Sequence, residues 1–274
     1  MLGAIYGDIA GSKYEFQEFD RGDIPLFLPG SHFTDDTLMT LAVAKALISR
    51  KYDKRNYQDI LIETMRDIGH KYPNVLWGAS FYKWLFEFEV PVPYNSFGNG
   101  AAMRIAPVGW VCDTLEETIK LSKLTTEITH NHPEGIKGAE AIAVSIFLAR
   151  TGSTKEEIRK KMIEYYPELE HMTIESLVSS GYGRDEAGEF VTCQGSVPQS
   201  ICAFLESNSV EDAAIKAISL NGDTDTQACM ACAIAEAYFG MTPNEEQKAL
   251  SFLPKELLTI FYSFDLMKKE RIKE

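Results

Sequence analysis

Apolar residues recur at helical spacing along most of the chain, and alternating strand-like runs are almost absent. The spacing predicts helices over 3–16, 36–50, 56–69, 77–87, 115–127, 136–150, 155–165, 197–207, 211–219, 225–239, 244–251 and 255–269. Residues 36–50 are apolar around most of the circumference, as in a central buried helix. Start signals accompany two of these elements. Thr114 with Glu117 three residues on forms a capping box, and Ser196 stands two residues before Pro198. The one alternating candidate, Val90 to Tyr94, is crossed by Pro91 and Pro93 and reads as extended loop. No internal repeat, low-complexity tract or linker interrupts the pattern. The expectation is an all-α fold, a single compact orthogonal helical bundle spanning residues 1–274.

Gly3, Gly7 and Gly11 recur every four positions on the first predicted helix. Each glycine in a helix interior costs about 1 kcal/mol against alanine, so three on one face need compensation. Close approach of another backbone would supply it. Asp8 and Glu15 lie seven residues apart and so share a face of that helix, near the glycines. On spacing alone, Glu15 reads as a solvated acid at a helix end.

Composition narrows the function classes. With 45% hydrophobic and 24% charged residues the balance is that of an ordinary globular chain. The net charge of −13 argues against a nucleic-acid platform, which needs a basic face, and suits carboxylates gathered around divalent cations. No apolar run reaches the roughly 20 residues that span a bilayer, so no membrane association is expected. The first residues lack a basic segment and meet an acid at Asp8, unlike a signal peptide. Five cysteines, an odd number without framework spacing, point to a reducing cytoplasm.

Two acidic clusters open unusually apolar helices. Phe33-Thr34-Asp35-Asp36-Thr37 leads into the buried 36–50 helix, and Asn221-Gly222-Asp223-Thr224-Asp225-Thr226 leads into Ala228 to Ala235. Capping explains one acid in each cluster. The surplus acids at two buried helix starts would repel one another unless a cation or donors compensated them. Oxygen ligands of this kind suit Mg²⁺ or Mn²⁺ rather than zinc. A third constellation, Tyr94-Asn95-Ser96-Phe97-Gly98-Asn99-Gly100-Ala101-Ala102-Met103-Arg104, offers a glycine turn whose N–H groups could form a phosphate nest, with ring faces at Tyr94 and Phe97. A fourth, Thr129-His130-Asn131-His132-Pro133-Glu134-Gly135, has two histidines but no partner spacing for zinc. Cys229 and Cys232 sit inside an apolar helix and read as small-residue packing.

The ordered set Gly7-Asp8-x-x-Gly11-x-x-x-Glu15, Phe33 to Thr37, Ser96 to Arg104, Thr129 to Glu134 and Gly222 to Thr226 resembles the ADP-ribosylglycohydrolases, a family that includes the dinitrogenase reductase-activating glycohydrolase. The resemblance covers nearly the whole chain. It implies an all-α fold with a binuclear Mg²⁺ centre, Mn²⁺ being the alternative, in a cleft. By motif, Thr34, Asp35, Asp36, Asp223, Asp225 and Thr226 would be metal ligands, and Glu15 would be the acid near the metals, against the solvated reading above. Ser96, Phe97, Gly98, Asn99 and Gly100 would bind the nucleotide, Phe97 on the adenosine side, and His130 would approach the ribose of the scissile bond. Asn221 departs from the glycine often found before the Gly-Asp pair. The implied activity is hydrolysis of an N- or O-glycosidic bond between ADP-ribose and a modified protein or small-molecule conjugate, with Glu15 and Asp36 as catalytic acids. Two rivals remain, a non-catalytic ADP-ribose-binding module and a helical metallohydrolase acting on phosphoesters. Asp35-Asp36 lacks a prenyl-diphosphate motif's third acid, position 39 being Met39.

Overall fold

The computed structural model describes residues 1–183 and 188–271. Among these, helix is the only regular secondary structure, and strand pairing is limited to one isolated bridge between Gly98 and Thr192. The α-helices run in the order α1 (Leu2–Gly11), α2 (Asp35–Ser49), α3 (Tyr57–Lys71), α4 (Ala79–Phe86), α5 (Gly100–Met103), α6 (Ala106–Val111), α7 (Leu115–Thr126), α8 (Pro133–Arg150), α9 (Lys155–Ile163), α10 (Ile174–Ser180), α11 (Cys193–Glu206), α12 (Val210–Ser219), α13 (Thr224–Phe239), α14 (Pro243–Leu250) and α15 (Lys255–Arg271). None is long and apolar enough to cross a membrane.

Helix α13 is the hub, packing on α1, α8, α11 and α12, and it is buried from Thr224 to Glu236. All ten residues of α1 are buried as well. The compensation expected for the glycine stripe is there. An added Cβ would lie 2.1 Å from the Cys232 carbonyl oxygen at Gly3, 2.1 Å from that of Ala228 at Gly7, and 2.5 Å from that of Thr224 at Gly11. The contacts step by four residues up one helix and four down the other, so the two backbones run antiparallel in contact. The main apolar core draws on residues from Met1 to Met267.

Most predicted helices are present with shifted ends, and two starts or stops need correction. The first helix stops at Gly11, not residue 16. Its last carbonyls find partners elsewhere: Ser12 Oγ donates to the Ile9 carbonyl, and Thr224 Oγ1 donates to the Gly11 carbonyl at 3.0 Å. Glu15 therefore leaves the helix and shares no helix face with Asp8. Helix α11 begins at Cys193 rather than 197, because Thr192 caps it by accepting from Gly195 N. Ser196 lies inside that helix and bonds back to the Thr192 carbonyl. Thr114 does cap α7, but Glu117 accepts from Asp113 N, one residue upstream of the reciprocal partner of a capping box. The short helices α5, α6 and α10 carry too few turns for periodicity to mark them. All five cysteines are buried, and Cys229 and Cys232 donate to the Met103 and Val210 carbonyls.

The glycine contact can be checked by substitution. Gly7→Ala should lose about 1–3 kcal/mol in urea denaturation through overpacking. Gly22→Ala, whose nearest neighbour is an Asp20 side-chain oxygen at 3.3 Å, should change stability by less than about 0.5 kcal/mol. Equal stability of the two variants would show that the backbones are not in contact.

Candidate active site

Three chain segments converge where α1 passes the starts of α2 and α13. Asp8, in the middle of α1, is fully buried. Its carboxylate accepts from Thr34 N at 3.0 Å, from Thr34 Oγ1 at 2.7 Å, from Thr37 N at 3.1 Å and from Thr37 Oγ1. Asp8 thus caps α2 from a neighbouring helix. Thr34 Oγ1 also lies 3.3 Å from Asp36 Oδ2, and Thr226 Oγ1 donates to that same oxygen at 3.2 Å. The other oxygen, Asp36 Oδ1, is buried with no hydrogen-bond partner.

Local backbone explains how the second cluster arrives. Asn221 and Gly222 take φ of 71° and 76°, a left-handed pair that asparagine and glycine tolerate best. Asparagine can therefore hold this turn without a glycine at 221. The turn sets Asp223 at the N-cap of α13, where Asn99 Nδ2 donates to Asp223 Oδ2 at 2.7 Å. Phe16, at φ 52°, donates its N–H to the Gly222 carbonyl at 2.8 Å and so ties the turn bearing Glu15 to the same loop.

The carboxylates form two groups. One ligand atom each from Asp8, Asp36 and Asp225 lie within 4.8 Å of one another, and so do one each from Glu15, Asp223 and Asp225. Asp225 belongs to both. Burial, then neighbouring carboxylates, raises Asp36 and Asp225 well above the usual range. Glu15 is pushed up to about 7 by burial and by the charges of Asp223 and Asp8, and Asp35 to about 8 by burial and by those of Asp8 and Asp223. Burial raises Asp8 and Asp223 too, opposed by the donors from Thr37, Thr34 and Asn99. The unpartnered Asp36 oxygen and the all-oxygen donor set fit a divalent cation.

Of the ligands expected from sequence, Asp36, Asp223 and Asp225 enter these groups. Thr34 and Thr226 orient Asp36, while Asp35 lines the cleft outside both groups. Glu15 joins through its turn. Asp8 also joins the first group, a place for which its position in the glycine stripe was the only sequence signal.

A cavity of about 910 Å³ opens beside the acids, lined on one wall by Ser96, Gly98, Asn99, Gly100 and His130. Phe97 is 45% exposed and faces a neighbouring cavity of about 600 Å³ with Tyr182 and Phe190. The expected phosphate nest is not formed as such. Gly98 N donates to Ser96 Oγ and Asn99 N to the Val191 carbonyl, and neither Gly98 nor Gly100 has positive φ. Leu76 to Phe81 and Arg104 also line the cavity, and no chemical signal in the sequence marks them for it.

A family model described as ADP-ribosylglycohydrolase matches residues 1–252. The chain is 27% identical to human "ADP-ribosylhydrolase ARH3", covering 88% of this chain and 84% of that protein. It is 28% identical to "ADP-ribosylarginine hydrolase Tri1" of Pseudomonas putida, covering 88% and 70%. A solved structure titled "ADP-ribosylglycohydrolase-related protein complex" shares the fold with a TM-score of 0.71 at 22% identity, covering 97% of this chain and 95% of that one.

The acid cluster predicts an inverted pH dependence of stability in chelator-treated protein. Glu15 and Asp35 shift from 4.5 to about 7 and from 3.8 to about 8, so the fold favours their protonated forms. Their contribution is complete below the unfolded values and lost as pH rises through about 7–8. Calorimetry should show Tm falling between pH 5 and 8, and Mg²⁺ or Mn²⁺ should reverse the fall at pH 8. Asp36→Asn and Asp225→Asn should each lose most of the metal-induced rise. A rise of wild-type size in both would exclude these ligands.

Proposed function

The chain belongs to the ADP-ribosylglycohydrolase family, and from that membership we propose that it hydrolyses the glycosidic bond between ADP-ribose and a modified protein or small-molecule conjugate. The observation that carries this reading is the pair of carboxylate groups sharing Asp225 beside a cleft lined by Ser96, Gly98, Asn99 and Gly100. Asp8, Asp36 and Asp225 would hold one divalent ion, and Glu15, Asp223 and Asp225 a second, Mg²⁺ in each case with Mn²⁺ as the alternative. When bound, the ions supply positive charge that offsets the buried acids, hold ribose hydroxyls and lower the pKa of water.

The protein's own groups divide the remaining work. Glu15, beside Asp223 and Asp225, is the acid we assign to proton transfer between water and the leaving group. Asp36, fixed by Thr34 and Thr226, holds negative charge beside the anomeric carbon, where cleavage builds oxocarbenium character. Ser96, Gly98, Asn99 and Gly100 line the pyrophosphate, and His130 faces the distal ribose. Phe97, on the side of the neighbouring cavity, would receive the adenine. One relative is named as an ADP-ribosylhydrolase and another as an ADP-ribosylarginine hydrolase. A panel of arginine-, serine- and O-acetyl-linked ADP-ribose conjugates would identify the leaving group.

Two substitutions test the assignment. Glu15→Gln should slow single-turnover release of ADP-ribose by about 10²–10⁴-fold while product affinity is retained. A rate within about threefold of wild type, far short of that range, would remove Glu15 from proton transfer. Phe97→Ala should weaken ADP-ribose binding by about 1–3 kcal/mol, if aromatic stacking on the base applies, with the metal-induced Tm shift preserved. Unchanged affinity in calorimetric titration would reduce the Ser96–Gly100 segment to a turn.

A further inference from the structure

Behind the Gly98–Gly100 wall lies a hydrogen-bond chain that starts from a buried cation. Arg104 is 1% exposed, and among the described residues it has no carboxylate partner. Its guanidinium donates to the Gly100 carbonyl at 3.1 Å and to Thr129 Oγ1 at 2.7 Å. Thr129 Oγ1 lies 2.7 Å from His130 Nδ1. The backbone of the pair is fixed as well: His130 N donates to the Thr126 carbonyl, and the Thr129 carbonyl accepts from Tyr94 N.

A hydroxyl has one hydrogen to give. Thr129 already accepts from Arg104, and its two candidate acceptors are His130 Nδ1 at 2.7 Å and the Thr126 carbonyl at 3.4 Å. The shorter contact needs a hydrogen between its atoms, whereas the longer one is weak. The arginine charge polarises the hydroxyl, making it a better donor and a poorer second acceptor. The hydrogen therefore goes to Nδ1, and the ring carries its own on Nε2. Burial and the Arg104 charge both oppose a second proton, so the imidazole is neutral.

Nε2 has no partner among the described residues, and it faces the glycines. A Cβ built on Gly100 or Gly98 would lie 3.4 or 3.8 Å from it, so glycine leaves the path from Nε2 to the cleft open. We propose that Arg104, acting through Thr129, locks His130 as the Nε2–H tautomer and so presents a fixed donor to a substrate oxygen lying over Gly98 and Gly100. Arg104 and Thr129 are positioning residues. The substrate oxygen rests on the ADP-ribose reading above; the tautomer does not.

The test uses the full chain labelled with ¹⁵N-histidine, with the His130 signals assigned by their loss in His130→Asn. Two-bond ¹H–¹⁵N spectra at neutral pH should show Nε2 protonated and Nδ1 bare. Thr129→Val removes the hydroxyl at nearly constant volume. It should release the tautomer and raise the ADP-ribose dissociation constant about 3- to 10-fold, the worth of one hydrogen bond, while Thr129→Ser restores both. A protonated Nδ1 in wild type overturns the proposal, as does Thr129→Val leaving tautomer and affinity unchanged. A wild-type chain with the expected tautomer but no ADP-ribose binding would support the lock and overturn the ADP-ribose reading instead.

Discussion

Gly3, Gly7 and Gly11 let the backbone of α1 rest directly on the carbonyls of Cys232, Ala228 and Thr224 in α13, and the site follows from that contact. No side chain separates the two helices along this seam. Asp8 of α1 and Asp225 of α13 therefore reach a common point, within carboxylate-to-carboxylate range of Asp36. The end of the seam matters as much as its length. Where Gly11 meets Thr224, the chain leaves the helix and Phe16 bonds to Gly222, which carries Glu15 to the second group of acids. Any larger residue in the stripe would move one bank of acids away from the other.

The same convergence sets acids against the fold. Burial alone disfavours each charged carboxylate, and the acids of both groups repel one another. Part of the cost is offset locally: Asp8 takes four donors from Thr34 and Thr37, and Asp223 takes one from Asn99. Asp36 keeps one oxygen without a partner. That unsatisfied oxygen is a place where the fold gives up stability at the candidate site.

Much of this was legible in the sequence, for identifiable reasons. Helices of three or more turns reveal themselves by period, and the glycine stripe announced a backbone contact before its partner was known. The acid surplus at Asp35-Asp36 and Asp223-x-Asp225 signalled a site because capping accounts for only one acid in each. What failed depended on tertiary partners. The end of α1 is set by Thr224, more than 200 residues away (a separation of 213), and no local signal marks it. Spacing put Asp8 on one face with Glu15 but could not show its surroundings, because its donors come from another helix. The Gly98–Gly100 turn suggested an anion nest, but Ser96 and Val191 engage its N–H groups. Arg104 has no sequence-local clue, since its role depends on Thr129 and His130 folding behind it.

The seam also bears on how the molecule is made. Its contacts join segments at opposite ends of the sequence, so closing them requires ordering a very long loop, and high contact order of this kind slows folding. The repulsive acids meet only when that closure is complete. A partly folded chain with α2 formed and α13 undocked holds a few separated carboxylates, each free to ionise in water. Local opening of α13 withdraws Asp225 from both groups of acids at once, whereas opening of α2 withdraws only Asp36.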